Sequence, residues 1–237
     1  MSRTFKYSLL AASIFAAPLA HAYEAGSLLI RAGVVNVYPD SGSSDDLRLN
    51  GVTQPGLKVS VDDNYQLGLS ATYMITDHIA VGLLAATPFK HNIKGADALD
   101  GAGKLAETKH LPPTLSVLYY PLANERMIQP YVGVGINYTV FFEEKTTDTL
   151  TGFLQGIDPN IASTNISLDS SVGVAVEAGV DFRLSDTFAI NAGIWWADIG
   201  TTATIKALDA DGTRLHTAKV DVDIDPMVYM VGFSFKF

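Results

Sequence analysis

Apolar residues recur at every second position in eight stretches of this chain. That period of two is the mark of strands with one apolar face. The first stretch, Ser27 to Val37, sets Leu28, Ile30, Ala32 and Val34 against Arg31 and Gly33. The second, Tyr65 to Ile75, alternates Leu67, Leu69, Ala71 and Tyr73 with Gln66, Gly68, Ser70 and Thr72. The third, His78 to Phe89, opposes Ile79, Val81, Leu83 and Ala85 to Ala80, Gly82 and Leu84, and the fourth, His110 to Tyr120, directs Leu115, Val117 and Tyr119 one way. The fifth (Val132 to Phe142), sixth (Val172 to Arg183) and seventh (Phe188 to Trp196) carry long uninterrupted alternations. In the eighth, Met227, Tyr229, Val231, Phe233, Phe235 and Phe237 share one face, and Phe237 is the last residue given.

The connections give these strands a topology. Only Thr76-Asp77 separates the second and third, only Ser185-Asp186 the sixth and seventh, and Pro121 to Met127 the fourth and fifth. The other links, near Tyr38–Asn64, Lys90–Lys109, Glu143–Ser167 and Gly200–Ala218, are long, and Asp148 to Ile157 fits a short helical turn within one of them. Short turns at one end and long loops at the other predict an all-β fold, an eight-stranded antiparallel transmembrane β-barrel. Its short turns and both termini are expected in the periplasm and its long loops outside the cell. A soluble up-and-down barrel shares the strand count but keeps polar residues outside. Here Arg31, Glu177, Asp181, Arg183 and Lys236 all fall on the polar parity. An Arg or Lys facing lipid at the midplane costs about 2–4 kcal/mol, so this face points inward. Opposite charges buried there must pair or meet water, and Glu177 is expected to pair with Arg31 or Arg183, in a luminal network that includes Asp181. Tyr73, Tyr119, Tyr138, Trp196, Tyr229 and Phe237 supply interfacial girdles.

The ends agree with export. Arg3 and Lys6 precede a short apolar run from Ser8 to Ala20, and Ala20-His21-Ala22 offers small residues at a cleavage site. Residues 1–22 are therefore read as a signal peptide and 23–237 as a single barrel domain in the bacterial outer membrane. Phe237 closing an apolar strand resembles the terminal signal read by the barrel-assembly machinery.

Composition narrows the function classes. Among 237 residues there is no cysteine, which removes disulfides and thiolate metal sites. The net charge of −9 becomes more negative by two when Arg3 and Lys6 leave, and this argues against nucleic acid. Acidic residues gather in the long links, where they either meet cations bridging lipopolysaccharide or simply solubilise the loops. The histidines show no metal-ligand spacing, although His91 and His110 flank one loop; no metal and no cofactor is implied. Gly133-x-Gly135 lacks the third glycine of a nucleotide fingerprint and is better read as small residues facing a crowded lumen. No nucleophile elbow is present, and the chain is not expected to be an enzyme.

Two sets of residues stand out against this frame. Pro88, Pro112 and Pro113 lie on two strands joined by one loop. Proline cannot donate to a ladder, so pairing must open or end there. Opening makes a lateral portal in the wall; ending makes only a strand terminus above the hydrocarbon. Leu84, Trp195, Leu118, Met74 and Met230 are apolar yet inward by parity. They form either a solute-binding pocket or the side-chain filling that a narrow barrel permits.

The runs Leu83 to Phe89 (LLAATPF), His110 to Thr114 (HLPPT), Gln129 to Thr139 (QPYVGVGINYT) and Asp198 to Ala203 (DIGTTA) resemble the OmpW family, which includes AlkL-type importers, and the likeness runs through the whole mature chain. The resemblance implies a barrel that assists small hydrophobic solutes across the outer membrane. The expected partners are outer-membrane lipid and lipopolysaccharide, a small hydrophobic solute, and the assembly machinery. The alternatives are a surface receptor or adhesion protein acting through its loops, and a narrow ion channel.

Overall fold

The computed structural model describes residues 23–40, 44–122 and 127–237. The expected leader, 1–22, lies outside them. In chain order the elements are β1 (Leu28–Tyr38), β2 (Arg48–Leu49), β3 (Val52–Thr53), β4 (Leu57–Val61), β5 (Asn64–Met74), β6 (Ile79–Ala86), β7 (Phe89–Asp97), β8 (Lys104–Leu111) and β9 (Thr114–Tyr119). They continue as β10 (Ile128–Thr146), α1 (Asp148–Gln155), β11 (Ser163–Leu168), β12 (Ser171–Arg183), β13 (Phe188–Ala197), β14 (Gly200–Leu208), β15 (Arg214–Asp223) and β16 (Met227–Lys236).

Eight of these strands close an antiparallel barrel in the order β1, β5, β6, β9, β10, β12, β13, β16 and back to β1. They correspond to the eight periodic stretches. Alternation along each strand separates two environments. On β10, Val132, Val134 and Ile136 are more than half exposed, while Tyr131 and Asn137 are buried. The outward residues form an apolar belt too large for a water-facing surface. Tyr73 and Tyr119 border it at the short-turn end, and Tyr38, Tyr65 and Tyr138 at the other. Backbone bonds between Leu28 and Phe237 place the start of β1 and the end of the chain at the short-turn end.

The long links, expected as loops, are largely ordered β-structure. Beyond the belt, β10 continues upward to pair with β8, and β4, β7 and β8 extend that wall. A second sheet of β11, β14, β15, β2 and β3 faces it. Helix α1 falls within the expected turn; the Thr147 hydroxyl accepts from the Leu150 amide at 3.4 Å, and Leu150 and Leu154 are buried. Strand alternation persists in these links, as in Thr201, Ala203, Ile205 and Ala207, all buried on β14. Their acidic and turn-forming neighbours had masked it.

Three strand boundaries also differ from expectation. The predicted third strand ends at Ala86, and Phe89 opens β7. The predicted fourth strand is two strands, β8 and β9, divided at Pro112-Pro113. The fifth runs on to Thr146, because nothing in its sequence stops it. Each division falls at a proline, where the ladder loses a donor.

Candidate functional site

The barrel interior is divided by height. Near the short-turn end a polar core fills it. Arg31 makes a bidentate pair with Asp181 (Nε to Oδ1 3.1 Å, Nη2 to Oδ2 2.7 Å). Its remaining donors reach the Thr72 hydroxyl at 2.8 Å and the Tyr120 hydroxyl at 2.9 Å. The Tyr131 ring lies 5.1 Å from the guanidinium carbon, and the Asn191 amide donates to Asp181 Oδ1 at 2.8 Å. Arg31 and Asp181 are 2% and 0% exposed, so the lumen is shut at this level by side chains rather than filled with water.

The expected network is thus corrected in its pairing. Asp181, not Glu177, holds Arg31, because their strands bring Asp181 and Asn191 level with Arg31 across the lumen. Glu177 stands two inward positions nearer the loops, past Gly179 and opposite Trp195 in the strand register. Arg183 lies at the turn end, 5.9 Å from the Tyr23 ring and 3.8 Å from Asp186.

The five inward apolar residues divide between two clusters. Met74 and Leu118 pack with Tyr23, Leu29, Ala80, Tyr120 and Tyr131 as part of the closed end. Trp195 and Met230 join Val35, Val37, Phe89 and Val228 on the loop side, with Leu84 against them. Paired glycines set the division. A Cβ on Gly193 would come 2.5 Å from the Trp195 ring, and one on Gly179 would come 2.4 Å from the Tyr131 ring. Only glycine leaves room for both rings at these two positions.

Above the polar core the interior is mainly apolar, with Glu177, Thr114 and Asn137 as polar exceptions. A small cavity of ≈ 30 Å³ is lined by Leu84, Ala86, Phe89, His110, Pro112, Asn137 and Trp195. A second, of ≈ 50 Å³, lies between the two extension sheets, lined by Leu47, Val59, Ile93, Leu105, Phe141 and Leu150 among others. His110 borders both. It stacks on His91 with ring centroids 4.8 Å apart and on Phe89 at 5.3 Å. Both imidazoles are buried in the extension, outside the belt. Burial and the neighbouring His91 push the His110 pKa down to about 3, and burial lowers that of His91.

The wall beside the smaller cavity has a gap in one ladder. Pairing of β6 with β9 ends at Leu84 and Thr114, and pairing of β7 with β8 resumes at Phe89 and His110. Between them Ala85 to Pro88 face Leu111 to Pro113 without a rung. Each side is still held by its other neighbour: Ala85 and Ala86 pair with β5, Leu111 pairs with Val140, and the Tyr138 amide donates to the Pro113 carbonyl at 3.0 Å. The three predicted prolines therefore come together at one seam. Exposed Leu67, Leu83, Leu115 and Ile136 flank it, which sets it at the loop-side margin of the belt.

Asn137 is a further residue of the seam, one that strand periodicity does not single out. From inside the barrel its amide donates to the carbonyls of Pro112 (3.1 Å) and Pro113 (3.4 Å) and to the Thr114 hydroxyl (2.9 Å), while Thr139 donates to its oxygen. Carbonyls released from a ladder near lipid need such a partner. The available signal was a large amide at a luminal position level with the double proline.

Similarities to known proteins agree with this geometry. The model of the OmpW family matches residues 24–237. Outer membrane protein W of Vibrio cholerae is 41% identical over 228 residues, covering 95% of each chain. The crystal structure of the outer membrane protein OprG from Pseudomonas aeruginosa superposes with a TM-score of 0.80 at 41% identity, over 91% of this chain and 98% of that one. The dibenzothiophene metabolism operon protein PahQ of Pseudomonas aeruginosa is 27% identical over 87% of each chain. With an apolar belt around an eight-stranded barrel and a family match along nearly its whole length, the chain is an outer-membrane protein and belongs to the OmpW family.

Proposed function

We propose that this barrel carries small apolar molecules from the cell surface into the outer leaflet of the membrane. The solute enters between the extension sheets, passes the His91–His110 stack into the space beside Leu84 and Trp195, and leaves sideways through the seam at Pro88, Pro112 and Pro113. The observation that carries this reading is the combination of a closed axis with a wall that lacks rungs in one ladder. The Arg31–Asp181 core bars the straight path, and the nearest break in the backbone ladder lies behind an apolar cavity. The name of the 27%-identical relative ties that protein to metabolism of dibenzothiophene, an apolar aromatic compound, and fits such a cargo.

The direction follows from placing the short turns and both termini in the periplasm and the extension outside, with residues 1–22 as the export leader. Both cavities are small, so a solute must displace side chains to pass. Transfer is passive and follows the solute's preference for lipid, about 0.8 kcal/mol per buried CH₂. The same closed core argues against an ion path along the axis.

The test is uptake of dibenzothiophene by cells lacking this protein, complemented with wild type or with Pro112→Thr plus Pro113→Val. Faster uptake with wild type, lost in the double variant although the barrel assembles, is expected. Equal uptake by the three strains overturns the reading.

A further inference from the structure

The larger cavity is almost wholly apolar, yet one residue of its lining carries a buried nitrogen without a partner. His91 is 1% exposed and lines the cavity between the sheets. Its Nδ1 is hydrogen-bonded to the backbone carbonyl of Asp62. A carbonyl only accepts, so Nδ1 carries the proton. In the neutral ring Nε2 then holds a lone pair and is an acceptor. Among the described residues nothing donates to it. The stack on His110, itself between Phe89 and Phe141, holds the ring in this orientation.

A buried acceptor without a donor is an unfavourable feature that packing alone would eliminate. Thr108 also lines the cavity, but its hydroxyl is directed to the Lys109 carbonyl at 3.2 Å. The site therefore combines an apolar sleeve with an unmet need for a hydrogen-bond donor at His91 Nε2.

We propose that the cavity recognises apolar molecules bearing one hydroxyl group, whose O–H donates to His91 Nε2 while the hydrocarbon part lies among the apolar side chains. This rests on the cavity being a solute site, as in the uptake reading, and narrows the solute class. A pure hydrocarbon gains the sleeve alone. An ether of the same length adds oxygen but no donor, and leaves Nε2 unmet.

The experiment measures partition of labelled 1-octanol, n-octane and octyl methyl ether into nanodiscs holding the full-length mature barrel, relative to empty nanodiscs. Wild type is expected to enrich octanol about tenfold over the other two, the scale of one buried hydrogen bond. His91→Phe keeps the shape and the stack, and should treat all three alike. A second reading needs no variant. In ¹⁵N-imidazole spectra of wild type, the His91 Nε2 resonance should move upfield on adding octanol and stay in place on adding octane. Equal enrichment of octanol and the ether, a preference retained in His91→Phe, or an unmoved Nε2 resonance overturns the proposal. Liposome flux separates this from the uptake reading. An octanol preference without flux leaves the recognition site standing and removes transport; flux without preference does the reverse.

Discussion

The two halves of the lumen are built from the same eight strands and the same inward parity, yet they are finished in opposite ways. Toward the short turns, Arg31, Asp181, Thr72, Tyr120 and Asn191 bond one another in a layer with almost no exposed surface. Toward the loops, Val35, Val37, Leu84, Trp195 and Met230 surround space, and two imidazoles are held neutral beside it. In an eight-stranded barrel the interior is barely wide enough for side chains. Whether it is shut or receptive is therefore decided by how well those side chains satisfy each other. A layer held by a fully paired Arg31 and Asp181 is a closure, even with the Asn191 Oδ1 in it lacking a donor; an apolar layer with gaps is a place for a solute.

The largest disturbance of this contrast comes from Arg31→Met. It strands the Asp181 carboxylate at 0% exposure. Removing one partner of a buried pair costs about 3–5 kcal/mol. The loss should appear in urea unfolding from lipid, and Arg31→Met with Asp181→Leu should recover much of it. A single variant as stable as wild type would mean that water already reaches this layer. Next in size is Asn137→Leu, which strips the amide from the Pro112 and Pro113 carbonyls. The Pro112 carbonyl keeps the Thr114 hydroxyl and the Pro113 carbonyl keeps the Tyr138 amide. The cost is therefore that of the lost bonds, about 0.5–1.5 kcal/mol each, expected as faster hydrogen exchange in β9 and the middle of β10 with β1 and β16 unchanged. If protection is unaltered there, the seam is held by something other than Asn137.

What the sequence disclosed, and what it did not, follows the same division. Period-two alternation located the eight barrel strands, because every residue of a barrel wall faces either lipid or lumen. The prolines located the seam, because a missing donor is local chemistry. The partner of Arg31 was not legible: Asp181 and Glu177 share one face of one strand, and only the stagger between strands decides which lies level with Arg31. The division of Met74 and Leu118 from Trp195 and Met230 had the same origin, since parity gives the face of a residue but not its height. The ordered extension was hidden by acidic residues that line its rim. The stacking of His91 on His110 was legible only as proximity across a loop; the Asp62 carbonyl that fixes the tautomer comes from a different strand connection.

The smallest predicted effect separates the halves by pH. His110 faces His91 from β7 and Phe141 from β10, while Asp62 and Asp63 act on the far side of His91. Its folded pKa of about 3 lies below the ordinary value of 6.5. Between those values the open chain binds a proton that the folded extension refuses. Stability is therefore complete above about pH 6.5 and is lost as pH falls toward 3. At pH 5.5 this amounts to about 1 kcal/mol for His110 alone. Hydrogen exchange at pH 7.5 and 5.5, corrected for intrinsic rates, should show β7 and β8 loosening at the lower pH while the turn-end halves of β1 and β12 keep their protection. His91→Phe with His110→Phe should abolish the difference, since neither buried imidazole then remains to be charged. Loosening that persists in this variant would assign the effect to the carboxylates of the rim, and the loop-side half of the lumen would then owe its pH response to its surface rather than to its interior.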